Sequence, residues 1–254
     1  MTFDAPPESY DDFMGRYSRL LAPKLAEFAG IGPGMRAIDV GCGPGALTEL
    51  LATTLGAERV TAADPSPTFA RACAERVPGA DVREVPAESL PWDDGSFDAA
   101  VSQLVVNFMN DPEAGVGEMR RVVASGGPVA ACVWDGSGGM EMLSTFWEAA
   151  KALDPAVNPE SARLRSAEEL RSLWDVVGLE GVETGALDVE VVYEGFEDSW
   201  HPLTGGVGPA GAHAASLDPA ELQALRDECR RRLGEPPGGF ALQARAWAVR
   251  GLVP

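Results

Sequence analysis

The chain has 254 residues, 45% of them hydrophobic, enough to bury a sizeable core and near the upper end of what one α/β domain needs. Against 20 Lys and Arg stand 39 Asp and Glu, a formal net charge of -19, and a surface of that sign repels phosphate backbones and anionic headgroups, which argues against nucleic acid or a membrane as partner. The four scattered cysteines, Cys42, Cys73, Cys132 and Cys229, lack the spacing of a metal clip or a disulfide scaffold, and no metal is expected.

Residues 1–12 are acidic and carry two prolines where a leader would have a basic and then an apolar run, and no later apolar run approaches membrane-spanning length; the expectation is a cytoplasmic chain. Residues 1–30 read as N-terminal cap helices. From Arg36 onward short β-branched runs alternate with amphipathic stretches, the pattern of a parallel sheet with crossover helices. Strands are predicted at 35–40, 59–63, 81–85, 97–103, 128–134, 182–193 and 240–249.

Between them, Leu47, Leu50, Leu51 and Leu55 share one helix face before Gly56. Ser66 and Pro67 suit the cap and first position of a helix burying Phe69 and Cys73, and Asp111-Pro112 opens another with Val116, Met119 and Val123 along one side. After strand five a helix with Met142, Phe146, Ala149 and Leu153 in register, then an irregular stretch to residue 165, read as an insertion over the sheet edge. Ser166-x-x-Glu169 has capping-box spacing, and Asp218-Pro219 with Glu221 starts the last helix. The whole is expected to be a single domain over 1–254, with the core at 35–135 and insertions at 136–165 and 194–216.

Chemistry concentrates in Gly41-x-Gly43-x-Gly45, which sits between a strand and a helix, where glycines let backbone approach a ligand. With Ala46 as a last glycine and Asp64 ~20 residues downstream, the same letters satisfy a dinucleotide fingerprint, so an NAD(P)-dependent oxidoreductase is an alternative. Two features lean away from it. Asp39 precedes the first glycine from inside the strand, and Pro44 stiffens the segment where a pyrophosphate needs approachable amides, whereas a cationic sulfonium bearing an amino group tolerates the acid.

The string Ala37-Ile38-Asp39-Val40-Gly41-Cys42-Gly43-Pro44-Gly45-Ala46-Leu47-Thr48 resembles the first motif of the class I S-adenosylmethionine-dependent methyltransferases, specifically the ubiquinone/menaquinone-biosynthesis-like group called type 11. The resemblance implies a seven-stranded, mostly parallel α/β sheet with helices on both faces and the last strand antiparallel. It also implies S-adenosyl-L-methionine as cofactor, held by Asp39, Gly41, Cys42, Gly43 and Gly45 at its methionine part. Asp64 would take the ribose hydroxyls, a task that suits a carboxylate, with Pro65 and Ser66 beside the adenine. Tyr10, Arg16 and Tyr17 resemble an N-terminal helix that closes over the cofactor carboxylate, for which Arg16 is the suitable partner.

There are departures. Pro86 stands where the family has an acid for the adenine amino group, which leaves the backbone of Ala87 and Glu88 for that contact, and 122–127 lacks the family's basic residue before its glycines. Gln103, at the end of strand four, completes the expected cofactor set. A protein that binds the cofactor without turnover is a further alternative.

In open α/β sheets ligands bind outside the carboxyl ends of the strands. The segments there carry Phe108, Trp134, Met140, Phe146, Trp147, Tyr193, Phe196 and Trp200, with Phe13 and Met14 able to close the top, which predicts a small apolar or aromatic methyl acceptor. His201 is the better candidate than His213 for a general base, since its segment leaves strand six toward the cofactor. Monomer and homodimer are both compatible with the sequence.

Overall fold

Runs rich in Ala and Val, buried on both faces, form the central parallel strands of one sheet in the computed structural model, which describes residues 6–157, 164–234 and 236–254. The strands are β1 (Ala37–Val40), β2 (Val60–Asp64), β3 (Asp81–Glu84), β4 (Ala99–Gln103), β5 (Pro128–Trp134), β6 (Glu180–Tyr193) and β7 (Phe240–Leu252). Their order is β3-β2-β1-β4-β5-β7-β6. β1 to β5 pair in parallel, and β7 lies antiparallel between β5 and β6, so the seven strands and the antiparallel last strand are as expected. β7 runs three residues beyond its expected end because Leu252 pairs with both Pro128 and Glu180.

Alternating residues divide the core between the two faces. On one, Val101, Ala130 and Cys132 meet Tyr17, Leu21 and Leu25 of α2 (Arg16–Ala29) and Leu47 and Leu51 of α3 (Ala46–Leu55). On the other, Ile38, Val40, Ala100 and Val129 meet Val116 and Met119 of α5 (Pro112–Val122) and Leu170 and Trp174 of α7 (Ala167–Val177). The helix starts named in the sequence are real caps: Ser66 accepts from Phe69 N at the head of α4 (Pro67–Arg76), Asp111 from Ala114 N, and Ser166 from Glu169 N, while Asp218 and Glu221 form a capping box on α10 (Pro219–Arg232).

The N-terminal segment is helical from Pro7, as α1 (Pro7–Tyr10), a π-helical turn (Asp11–Gly15) and then α2. Helix α6 (Glu141–Leu153) packs against α10, with α8 (Phe196–Trp200) and α9 (Gly208–Ser216) beside them, on the α2 face of the sheet. Residues 158–163 of the expected irregular stretch lie outside the described residues. No helix among the described residues is long and apolar enough to cross a membrane.

Trp174 ties the second face together, fully buried and donating from Nε1 to the Val129 carbonyl at 2.9 Å. Replacing Trp174 with Phe is expected to cost about 1–2 kcal/mol, and with Ala about 3–5 kcal/mol, read as a fall in the urea midpoint at unchanged slope.

Candidate functional site

The loop between β1 and α3 is held from below by β2. Gly41 N and Cys42 N both donate to the Ala63 carbonyl, at 2.7 and 3.0 Å. Gly41 has φ +80°, and a Cβ there would stand 2.4 Å from a methyl of Val105, so glycine is demanded by backbone and by space. Gly43 has φ +52° with nothing within 4 Å of a virtual Cβ, which makes it the point where the loop faces open ground.

Two carboxylates flank that ground. Asp64 ends β2 almost fully buried; its Oδ2 accepts from Gly43 N and its Oδ1 from Ser66 N, both at 2.9 Å. Burial pushes its pKa up against the pull of those two amides. Asp39 is 1% exposed, its Oδ2 accepts from Thr48 Oγ1 at 2.7 Å, and its Oδ1 is buried with no hydrogen-bonding partner. Burial pushes the Asp39 carboxyl up to about 7, with the charge of Asp64 adding to the effect. A site of this kind accepts a cation with N–H donors and opposes an anion.

The segment around the loop brings some of the expected residues together and sends others elsewhere. The Tyr10 ring meets Phe69 of α4 edge-on at 5.4 Å, with Asp39 and Asp64 near enough to act on its hydroxyl, which burial pushes up to about 12. Pro65 is exposed, and Ser66 spends its side chain capping α4. Ala87 is buried, while the Glu88 carboxylate accepts from Asn110 N and Asp111 N at 2.9 and 3.2 Å and so fastens the entry to α5. Gln103 donates from Nε2 to the Ser18 carbonyl at 3.1 Å and leaves Oε1 buried without a partner. Leu104 behind it takes φ +63°, a left-handed turn held by its N–H on the Cys132 carbonyl at 2.8 Å.

Arg16 does not present a free guanidinium. It pairs with both oxygens of Asp198, at 3.0 and 2.6 Å, and lies 5.3 Å over the Tyr193 ring, with its partner 182 residues away in the chain. Tyr17 is turned to the same side: its hydroxyl meets that of Tyr193 at 2.8 Å and its ring meets Trp134 edge-on. Asp11, absent from the expected set, pairs with Arg76 of α4 and with Arg19. No pattern of spacing announced either acid.

The expectation of an aromatic-lined acceptor chamber needs correcting. Met142 and Phe146 are buried with Phe196, Trp200 and Leu242 as the core between α6, α8, α10 and β7, around a cavity of about 10 Å³, room for about one water. Trp147 packs edge-on to Phe146, and His213 lies against both rings. His201 is exposed at the start of a 3-10 turn (His201–Thr204) that packs on the π-helical turn. No group of three or more His, Cys, Asp or Glu among the described residues could hold a metal.

Residues 38–131 match the protein family described as a methyltransferase domain. An uncharacterised protein of Mycobacterium tuberculosis is 29% identical over 214 residues, 78% of this chain and 77% of that one. The demethylmenaquinone methyltransferase of Desulfitobacterium hafniense is 35% identical over 106 residues, 39% of this chain and 42% of the relative. Among solved structures, a putative methyltransferase of Bacillus halodurans shares the fold at 16% identity with a TM-score of 0.60, covering 92% of this chain and 98% of the other.

The raised pKa of Asp39 gives the ligand-free protein a signature. Folded, this carboxyl keeps its proton to about pH 7, whereas the unfolded chain releases it near the ordinary 3.8, so stability falls as pH rises between those limits and levels off above. Asp64 shifts in the same direction. Asp39→Asn is expected to flatten the profile of urea stability between about pH 4 and 7; a variant that tracks the wild-type slope would show that this carboxyl is not the cause.

Proposed function

With residues 38–131 placing the chain in the type 11 family of class I S-adenosylmethionine-dependent methyltransferases, we propose that it transfers the methyl group of that cofactor to a small organic acceptor. The observation that carries this reading is the open ground at Gly43 between two buried carboxylates, one of which has an oxygen with no partner. When bound, the cofactor supplies an electrophilic methyl group on a cationic sulfonium. Asp39 would answer the positive methionine end, Asp64 would take ribose hydroxyls while keeping its two amide bonds, and the loop backbone would bear on the chain between them. A pyrophosphate laid on the same loop would face both carboxylates, which disfavours the nicotinamide alternative.

The chain's contribution to rate is positioning: a nucleophile held in line with the transferred methyl group gains much of its acceleration from orientation, about 7–11 kcal/mol in favourable cases. Trp134 and Tyr193 at the carboxyl ends of β5 and β6, with Tyr17 of α2 packed on both, support an apolar or aromatic acceptor. So does the quinone named for the Desulfitobacterium relative. His201 would take the acceptor's proton where one must leave, and its exposure allows it to pass that proton to water.

Titration calorimetry is expected to show S-adenosylmethionine binding that Asp64→Ala weakens about 10- to 100-fold, and no tight binding of NAD(P). Methylation of demethylmenaquinone or a phenol from a panel would assign the acceptor class. Tight nicotinamide binding without S-adenosylmethionine binding would overturn the proposal.

A further inference from the structure

Two of the four cysteines meet beside the glycine loop, although they stand far apart in the chain. Cys42 belongs to the loop itself and Cys73 to α4; both are buried against Ala62 of β2, and the Cys42 thiol is hydrogen-bonded to that of Cys73. Cys73 in turn donates its proton to Thr48 Oγ1 at 3.4 Å. The loop rests directly on this residue, since a Cβ at Gly45 would stand 3.0 Å from the Cys73 sulfur and 3.3 Å from its Cα. Neither cysteine is in a disulfide.

Cys132 and Cys229 are buried singly among apolar side chains, the usual service of cysteine in a core. The other two differ because together they span the ligand loop and the helix beneath it, and methyl transfer uses neither sulfur. The hydrogen bond to Cys73 and burial push the Cys42 thiol well above its ordinary pKa. The pair therefore keeps its protons at neutral pH and exchanges slowly with dissolved disulfides.

We infer that Cys42 and Cys73 form a reversible disulfide when a peroxide reaches them, and that this bond shuts the ground at Gly43 to the cofactor. Its regulatory half rests on the reading of S-adenosylmethionine as cofactor. Cys42 is 7% exposed against 0% for Cys73, so its sulfur meets the oxidant first. It attacks one peroxide oxygen, the O–O bond breaks, and a sulfenic acid and one water result. The Cys73 sulfur then displaces the sulfenic hydroxyl, which leaves with the thiol proton as a second water. Two thiols have lost two electrons and the peroxide has gained them.

A sulfur–sulfur bond is about 2.0 Å long, shorter than any contact between two thiols, so bridging draws Cys42 toward α4. The Cys42 N–H sits on the Ala63 carbonyl and its carbonyl on Gly45 N, both at 3.0 Å, and these bonds carry the displacement into the loop where Gly43 N holds Asp64. The cofactor thus binds the dithiol form more tightly than the disulfide.

Treating the full chain with hydrogen peroxide at about pH 8 should join the Cys42 and Cys73 peptides with loss of two hydrogens, as read by mass mapping, and dithiothreitol should undo it. Calorimetry should find S-adenosylhomocysteine bound at least about tenfold more weakly by the bridged protein, with recovery on reduction. By linkage, saturating S-adenosylhomocysteine should raise the midpoint potential of the pair in dithiothreitol redox buffers by about 30 mV for each tenfold of that weakening. Cys73→Ser, which keeps a donor for Thr48, and Cys73→Ala should bind as the reduced wild type does, form no bridge and hold their affinity through the treatment. Absence of the linked peptides, a bridged protein within about twofold of the reduced one, or an equal loss of affinity in both variants would each overturn the inference and leave the cofactor reading standing. Failure of the reduced protein to bind S-adenosylhomocysteine would remove that reading and the regulatory half with it, while the mapped bond still decides the thiol pair.

Discussion

The site is organised by what arrives at the end of β2. Four backbone amides converge there, those of Gly41 and Cys42 on the Ala63 carbonyl and those of Gly43 and Ser66 on the Asp64 carboxylate. Charge-assisted bonds from main-chain amides offset the cost of burying that carboxylate, and they make the turn after β1 and the turn after β2 one object. The conformation of the glycine loop, the start of α4 and the placement of Asp39 against α3 all presuppose that junction.

A second carboxylate beside the first creates a tension that the chain does not resolve internally. Asp39 accepts a hydrogen bond from Thr48 on one oxygen and nothing on the other, in a protein with an excess of 19 negative charges, and two arginines of the segments beside the glycine loop are committed elsewhere: Arg16 to Asp198, Arg76 to Asp11. A resident arginine would have satisfied Asp39 and closed the site to a cationic ligand. Leaving the oxygen unmatched costs stability.

The sheet was readable from sequence because its central strands are short apolar runs cut by strong punctuation, and every helix cap named in advance, at Ser66, Asp111, Ser166 and Asp218, is present. The glycine loop was equally plain. The partners of Arg16 and Gln103 were not, because their contacts join positions far apart in the chain, and no periodicity carries that information. The Met142 and Phe146 stripe misled for another reason: a helix that lines a chamber and a helix that builds a core show the same 3.6-residue period, and α10, which decides between them, lies some seventy residues further along. The two long antiparallel strands also exceeded their expected ends, since pairing on both edges extends β7 past the point where its composition fades.

The segment beside the glycine loop is fastened by side-chain charge, not by main-chain ladders. Asp11 grips α4 through Arg76, and Arg16 grips α8 through Asp198, with the π-helical turn between the two. Both pairs are partly exposed, so dissolved salt screens them, whereas the apolar sheet beneath gains from the same salt if it gains at all. Ionic strength therefore acts on this molecule unevenly: it loosens the strap beside the glycine loop before it disturbs the sheet beneath.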